Sequence, residues 1–78
     1  MPKWVVVDAA VALGIESTDI MATMHPNQIE LLIPDQPVSD ERIRKLAVRF
    51  DVGRHQIKVS RGPKTKIIIQ RPKPEPES

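Results

Sequence analysis

Between residues 39 and 53 the apolar positions Ile43, Leu46, Ala47 and Phe50 recur at i, i+3, i+4 and i+7, the spacing of one helical face. Ser39 supplies an N-cap, Asp40 and Glu41 place acid in the first turn, and Gly53 offers a stop, so the pattern predicts a helix over 40–51. The period changes on either side of it. Ile29, Leu31 and Ile33 alternate with neighbours in the manner of a half-buried strand, and Ile20–Met24 and Gln28–Ile33 read as two strands joined at His25-Pro26-Asn27. Met21, Ala22 and Met24 would suit a helix equally well, whereas Pro34-Asp35-Gln36-Pro37 ends the second strand firmly. Gln56–Ser60 and Thr65–Gln70 read as a second hairpin around Arg61-Gly62-Pro63-Lys64.

The first segment is less decisive. Pro2 fits a first helical position and Gly14 fits the place just past a helix end, which predicts a helix over 3–13. Three consecutive valines pull the other way, and residues 4–7 could instead form a short strand. In either form Asp8 is the only polar residue between Trp4 and Leu13, so the element is apolar nearly all round. A small domain has little depth in which to hide such an element, and Trp4, Val5, Val7 and Val11 are therefore candidates for an interface with another subunit. Arg71–Ser78 alternates proline with charge and has nothing to bury, the pattern of an extended tail. No internal repeat is evident. The expected architecture is α+β: a largely antiparallel sheet of about four strands packed against the 40–51 helix, with an additional N-terminal helix or strand, in one domain over residues 1–71 followed by a disordered tail over 72–78.

Composition narrows the function classes. The 78 residues include no cysteine, which removes disulfides, iron–sulfur clusters and thiolate zinc sites and suits a reducing compartment such as the cytoplasm. The apolar run at the N-terminus is broken by Asp8, too early for a signal peptide, and no stretch approaches the roughly 20 apolar residues of a spanning helix. His25 and His55 have no carboxylate at a metal-binding or triad spacing. Adjacent Asp40 and Glu41 diverge by about 100° on a helix and are explained by its N-terminus. The glycines are too scattered to cradle phosphate. This reading contains no catalytic residue, metal site or cofactor.

Charge says more. Residues 42–73 carry eleven Lys/Arg against one acid, Asp51, a net +10, while residues 1–41 carry Lys3 against seven acids, a net −6. The chain as a whole shows only +2. On the helix, Arg42, Lys45 and Arg49 lie together as a basic ridge; Arg54 and His55 follow in the next turn, and Lys58, Arg61, Lys64 and Lys66 occupy the hairpin. A continuous cationic surface built from these nine residues would bind a nucleic-acid backbone by releasing condensed counterions. Trp4 and Phe50 are the only aromatics and neither falls in a strand, so contacts would go to phosphate and sugar and not to stacked bases. The sequence thus reads as a non-catalytic nucleic-acid-binding protein, DNA or RNA undetermined. The alternative is a protein-interaction or homo-oligomerisation module that uses the apolar N-terminal segment.

Pro37-Val38, Leu46–Phe50, Val52-Gly53-Arg54-His55, Ile57-Lys58-Val59-Ser60, Gly62, Lys64-Thr65-Lys66 and Ile67-Ile68-Ile69 fall in an order that resembles the YggU-like family of small uncharacterised bacterial and archaeal proteins. The resemblance covers residues 37–72, and Ser39-Asp40-Glu41-Arg42 stands where that family has Gly-Lys-Ala-Asn. It implies an α+β sheet with a packed helix and no established activity.

Overall fold

A computed structural model describes residues 3–34 and 37–70 of the chain. Helix α1 (Lys3–Leu13) leads through a 3-10 turn at Ser17–Asp19 into strands β1 (Met21–His25) and β2 (Gln28–Pro34). Helix α2 (Asp40–Arg49) leads through a second 3-10 turn at Arg54–Gln56 into β3 (Ile57–Ser60) and β4 (Lys64–Gln70). The four strands form one antiparallel sheet in the order β1-β2-β4-β3, so the fold is α+β. The tail expected at 72–78 lies outside the described residues.

The N-terminal segment is helical along its whole length, and the strand alternative for residues 4–7 is not realised. Tertiary packing overrides the valine preference. Val5, Ala9, Ala12 and Leu13, spaced i, i+4, i+7 and i+8, are all buried, and the alanines keep the helix close to its neighbours. Helix α2 buries the expected stripe of Ile43, Leu46, Ala47 and Phe50, and Ser39 Oγ accepts from Arg42 N at 3.3 Å as its N-cap.

Gly53 does not end this helix. The stop is at Phe50–Asp51: the Asp51 N–H donates to Val48 O (3.1 Å) and the Val52 N–H to Ala47 O (3.0 Å), the Schellman pair, with Asp51 in the left-handed region at φ 55°. Gly53 has φ −72° and instead precedes the 3-10 turn, its N–H held by Gln56 Oε1 at 3.0 Å. The end of α1 also turns through a left-handed residue, Gly14 at φ 68°, but there the Gly14 N–H (2.8 Å) and the Ile15 N–H (3.2 Å) both donate to Ala10 O.

Helix, left-handed residue, 3-10 turn and hairpin therefore occur twice, although the sequence shows no repeat. Strand register makes the relation a pseudo-dyad. Leu31 pairs with Ile67 at its centre, and Ile29↔Ile69 is matched by Ile33↔Thr65 on the other side. Ala22↔Leu31 in the first hairpin corresponds to Val59↔Ile67 in the second. All eight of these strand residues share the sheet face that packs on the helices, where Ile29, Leu31, Ile33, Thr65, Ile67 and Ile69 are buried. The helices run antiparallel, since Trp4 near the start of α1 meets Phe50 at the end of α2 with ring centroids 5.8 Å apart, while Arg42 in the first turn of α2 lies against Gly14. Among the described residues the opposite sheet face bears no helix.

Candidate nucleic-acid interface

The nine basic positions singled out by sequence fall on two sides of this two-layer molecule. The α2 ridge is not turned freely to solvent. Arg49 Nε and Nη2 reach Asp8 Oδ1 across the helix pair at 3.2 and 3.0 Å, and the Arg42 guanidinium sits so close over Gly14 that a Cβ there would lie 2.4 Å from Nη1. This places Arg42 at the carboxyl end of α1, where the helix dipole favours a cation. Lys45 pairs with Glu41 one turn back at 3.7 Å.

Two arginines outside the helix are also engaged. Arg61 donates to Val38 O at 3.0 Å and to Asp40 Oδ1 at 3.1 Å, tying the second hairpin to the start of α2. Arg54 Nη1 donates to Ile57 O at 2.8 Å, and the His55 imidazole lies against the Gly53 backbone.

The remaining three cations behave differently. Lys58, Lys64 and Lys66 are exposed and make no hydrogen bond or ion pair among the described residues. All three stand on the open sheet face. Register fixes their neighbours: Lys58 opposes Ile68, Lys66 lies between Leu32 and Ser60, and Lys64 opposes Pro34. Lys64 and Lys66 are two residues apart on β4, and Lys58 is diagonal to Lys66 across β3, so the three form a row with steps of roughly 7 Å. Half-buried Leu32 and Ile68 provide an apolar floor beside it. The same face carries one acid on the described strands, Glu30, whose Oε1 is 3.8 Å from His25 Nε2.

At one end of the sheet an open cleft is lined by Asn27, Gln28, His55, Gln56 and Gln70. Gln56 is committed to the fold, since its Nε2 donates to Gln70 O at 2.9 Å while its Oε1 accepts from Gly53. Sequence reasoning did not find this cleft; its only signal was a set of carboxamides at element ends, whose convergence depends on the β2–β4 register.

The apolar candidates also separate. Val5 is wholly buried and belongs to the core, so it cannot serve an interface; Trp4 is half-buried against Phe50. The helical period explains the correction, because Val5 lies on the inner face while Val7 and Val11, one turn apart, are 52% and 58% exposed on the outer one. Among the described residues no group of three or more His, Cys, Asp or Glu is placed to hold a metal ion, and no helix is long and apolar enough to cross a membrane.

Fold and surface together define a two-layer α+β domain with an open, partly basic sheet. Comparison with protein-family models, curated proteins and solved structures gives no match to this chain.

Proposed function

We propose that this protein is a small non-catalytic nucleic-acid-binding protein whose open sheet face receives the phosphate backbone, with Lys58, Lys64 and Lys66 as its primary contacts. The observation that carries the reading is the division of the cations. Arg49, Lys45 and Arg61 already face carboxylates, whereas the three sheet lysines face none among the described residues. A lysine without an internal partner keeps its full electrostatic attraction for an external anion, and each phosphate it neutralises releases a counterion. With no aromatic on the face, bases would not be stacked, and leucine and isoleucine beside the row would contact sugar. Arg54 and His55, in the turn that leads into β3, are secondary contributors, and a cysteine-free chain of this kind suits a cytoplasmic location.

The test is binding of fluorescent single-stranded and duplex oligonucleotides across a salt series. Replacing Lys58, Lys64 and Lys66 together by Gln should weaken binding and reduce the steepness of log K against log salt by roughly 2 to 3, at about 0.7 to 0.9 per lost phosphate contact. Lys45→Gln, on the helical layer, should leave the slope unchanged. A triple variant that keeps its circular dichroism spectrum and the parental slope refutes the assignment, as does a parent protein that binds neither probe at low salt.

A further inference from the structure

We infer that β1 is a docking edge for a second copy of this chain, and that two molecules join through antiparallel β1–β1 pairing centred on Thr23 into one continuous sheet. The inference does not rest on nucleic-acid binding. It begins from the two free edges of the sheet, which the pseudo-dyad makes equivalent in backbone but not in protection. Edge strands expose unpaired N–H and C=O groups and commonly carry a charge or a covering group that deters another strand. β3 has both, with Lys58 on its exposed face and the Ile57 carbonyl capped by Arg54 Nη1 at 2.8 Å. β1, Met-Ala-Thr-Met-His, has no lysine, arginine, aspartate, glutamate or proline, and no strand pairs with its outer side among the described residues.

Its side chains also ask for cover. Five large hydrophobic residues are markedly exposed in the described structure, and two of them, Met21 at 63% and Met24 at 41%, stand on this five-residue strand. The backbone specifies how a copy would fit. His25 and Gln28 flank a two-residue turn, which makes them a hydrogen-bonded pair, and the alternation of an antiparallel ladder then directs Met21, Thr23 and His25 toward β2. Ala22 and Met24 consequently direct their N–H and C=O groups outward. A dyad at Thr23 sets Ala22 of one copy opposite Met24 of the other, twice, so that about four new backbone hydrogen bonds close with no group left over. Side chains agree with this register. The long Met24 covers the small Ala22, Thr23 meets Thr23 in the close non-hydrogen-bonded pair, and Met21 opposes His25, with no like charges face to face. An isologous pairing of this kind ends with the dimer, because the other edge is the protected one.

Sedimentation velocity from about 10 µM to 1 mM, combined with charge exchange at the dyad, tests this. The parent should show mass doubling with concentration. Thr23→Lys and Thr23→Glu, at an exposed position, should each keep the fold but raise the dimer dissociation constant by about tenfold or more, since like charges then stand roughly 4.5 Å apart in Cα terms. An equimolar mixture of the two variants should recover association as a heterodimer, an outcome that general destabilisation cannot produce. A parent that remains monomeric throughout overturns the inference and leaves the edge to an extended segment of another protein. Association indifferent to Thr23 but abolished by Val11→Glu overturns it in favour of the outer face of α1.

Discussion

Phe50 closes α2 and fixes the phase of that helix against the rest of the core, so its truncation tests the packing most directly. The side chain is 5% exposed and its ring lies 5.8 Å from that of Trp4, tilted by 34°. Phe50→Ala removes a buried ring and leaves a cavity that only partly collapses, which together cost roughly 3 to 5 kcal/mol. About 0.5 to 1.5 kcal/mol of that should be coupling to the indole, recoverable from a double-mutant cycle with Trp4→Leu. For a chain of this length total stability should be about 4 to 12 kcal/mol, so the substitution removes from about a quarter to all of it. Urea unfolding followed by far-ultraviolet circular dichroism serves all four members of the cycle, with fluorescence of Trp4, the only tryptophan of the chain, as a second probe in the two that keep it. The midpoint should fall sharply while the slope with denaturant stays constant. A loss below about 1 kcal/mol with an unchanged slope would mean that Phe50 is not in the core and that the helix is rotated from the phase described.

Three further outcomes follow from single contacts. Gly14→Ala should cost about 1 to 2 kcal/mol in the same titration, because a Cβ at φ 68° is strained and would also displace the Arg42 guanidinium. Trp4→Phe should change stability by less than about 1 kcal/mol by thermal circular dichroism, since the lost apolar area is offset by removing a buried Nε1–H that has no hydrogen-bond partner among the described residues. Asp8→Ala should cost no more than about 1 kcal/mol, with the difference shrinking in high salt, because the ion pair it breaks with Arg49 is partly solvated.

Local chemistry made some elements legible and left others open. The α2 stripe and its Ser39 cap were readable because a helix of moderate amphipathicity writes its buried face at a fixed spacing, and β2 was readable from Ile29, Leu31 and Ile33 for the same reason at period 2. The N-terminal segment was ambiguous because Val5–Val7 favour a strand in isolation, while helix or strand was decided by alanines packing four and seven residues further on. The helix stop moved from Gly53 to Asp51 because a Schellman pair needs one left-handed residue at a set distance from the last turn, and aspartate can occupy it. Least visible was the fate of the charges. Arg49 meets Asp8 across 41 residues of sequence, and only the antiparallel helix pair brings them together.

The pseudo-dyad bears on why the lysine row exists. Strand register equates Met21 with Lys58, Gln28 with Lys64 and Glu30 with Lys66, so the same backbone positions on the same open face hold an apolar, an amide and an acidic residue in one half and three lysines in the other. A backbone that accepts all of these residue types does not need cations there to fold. The helical layer answers only in part: Ala9 and Leu13 in α1 correspond to Leu46 and Phe50 in α2, whereas buried Val5 and Ala12 correspond to exposed Arg42 and Arg49. Charge thus differs between the halves on both layers, but on the helical layer Arg49 is matched internally by Asp8, whereas the three lysines of the open face have no ion pair among the described residues. Glutamine stands natively at the position equivalent to Lys64, so a loss of binding on replacing Lys58, Lys64 and Lys66 is read against a sheet whose stability the substitutions have little reason to change.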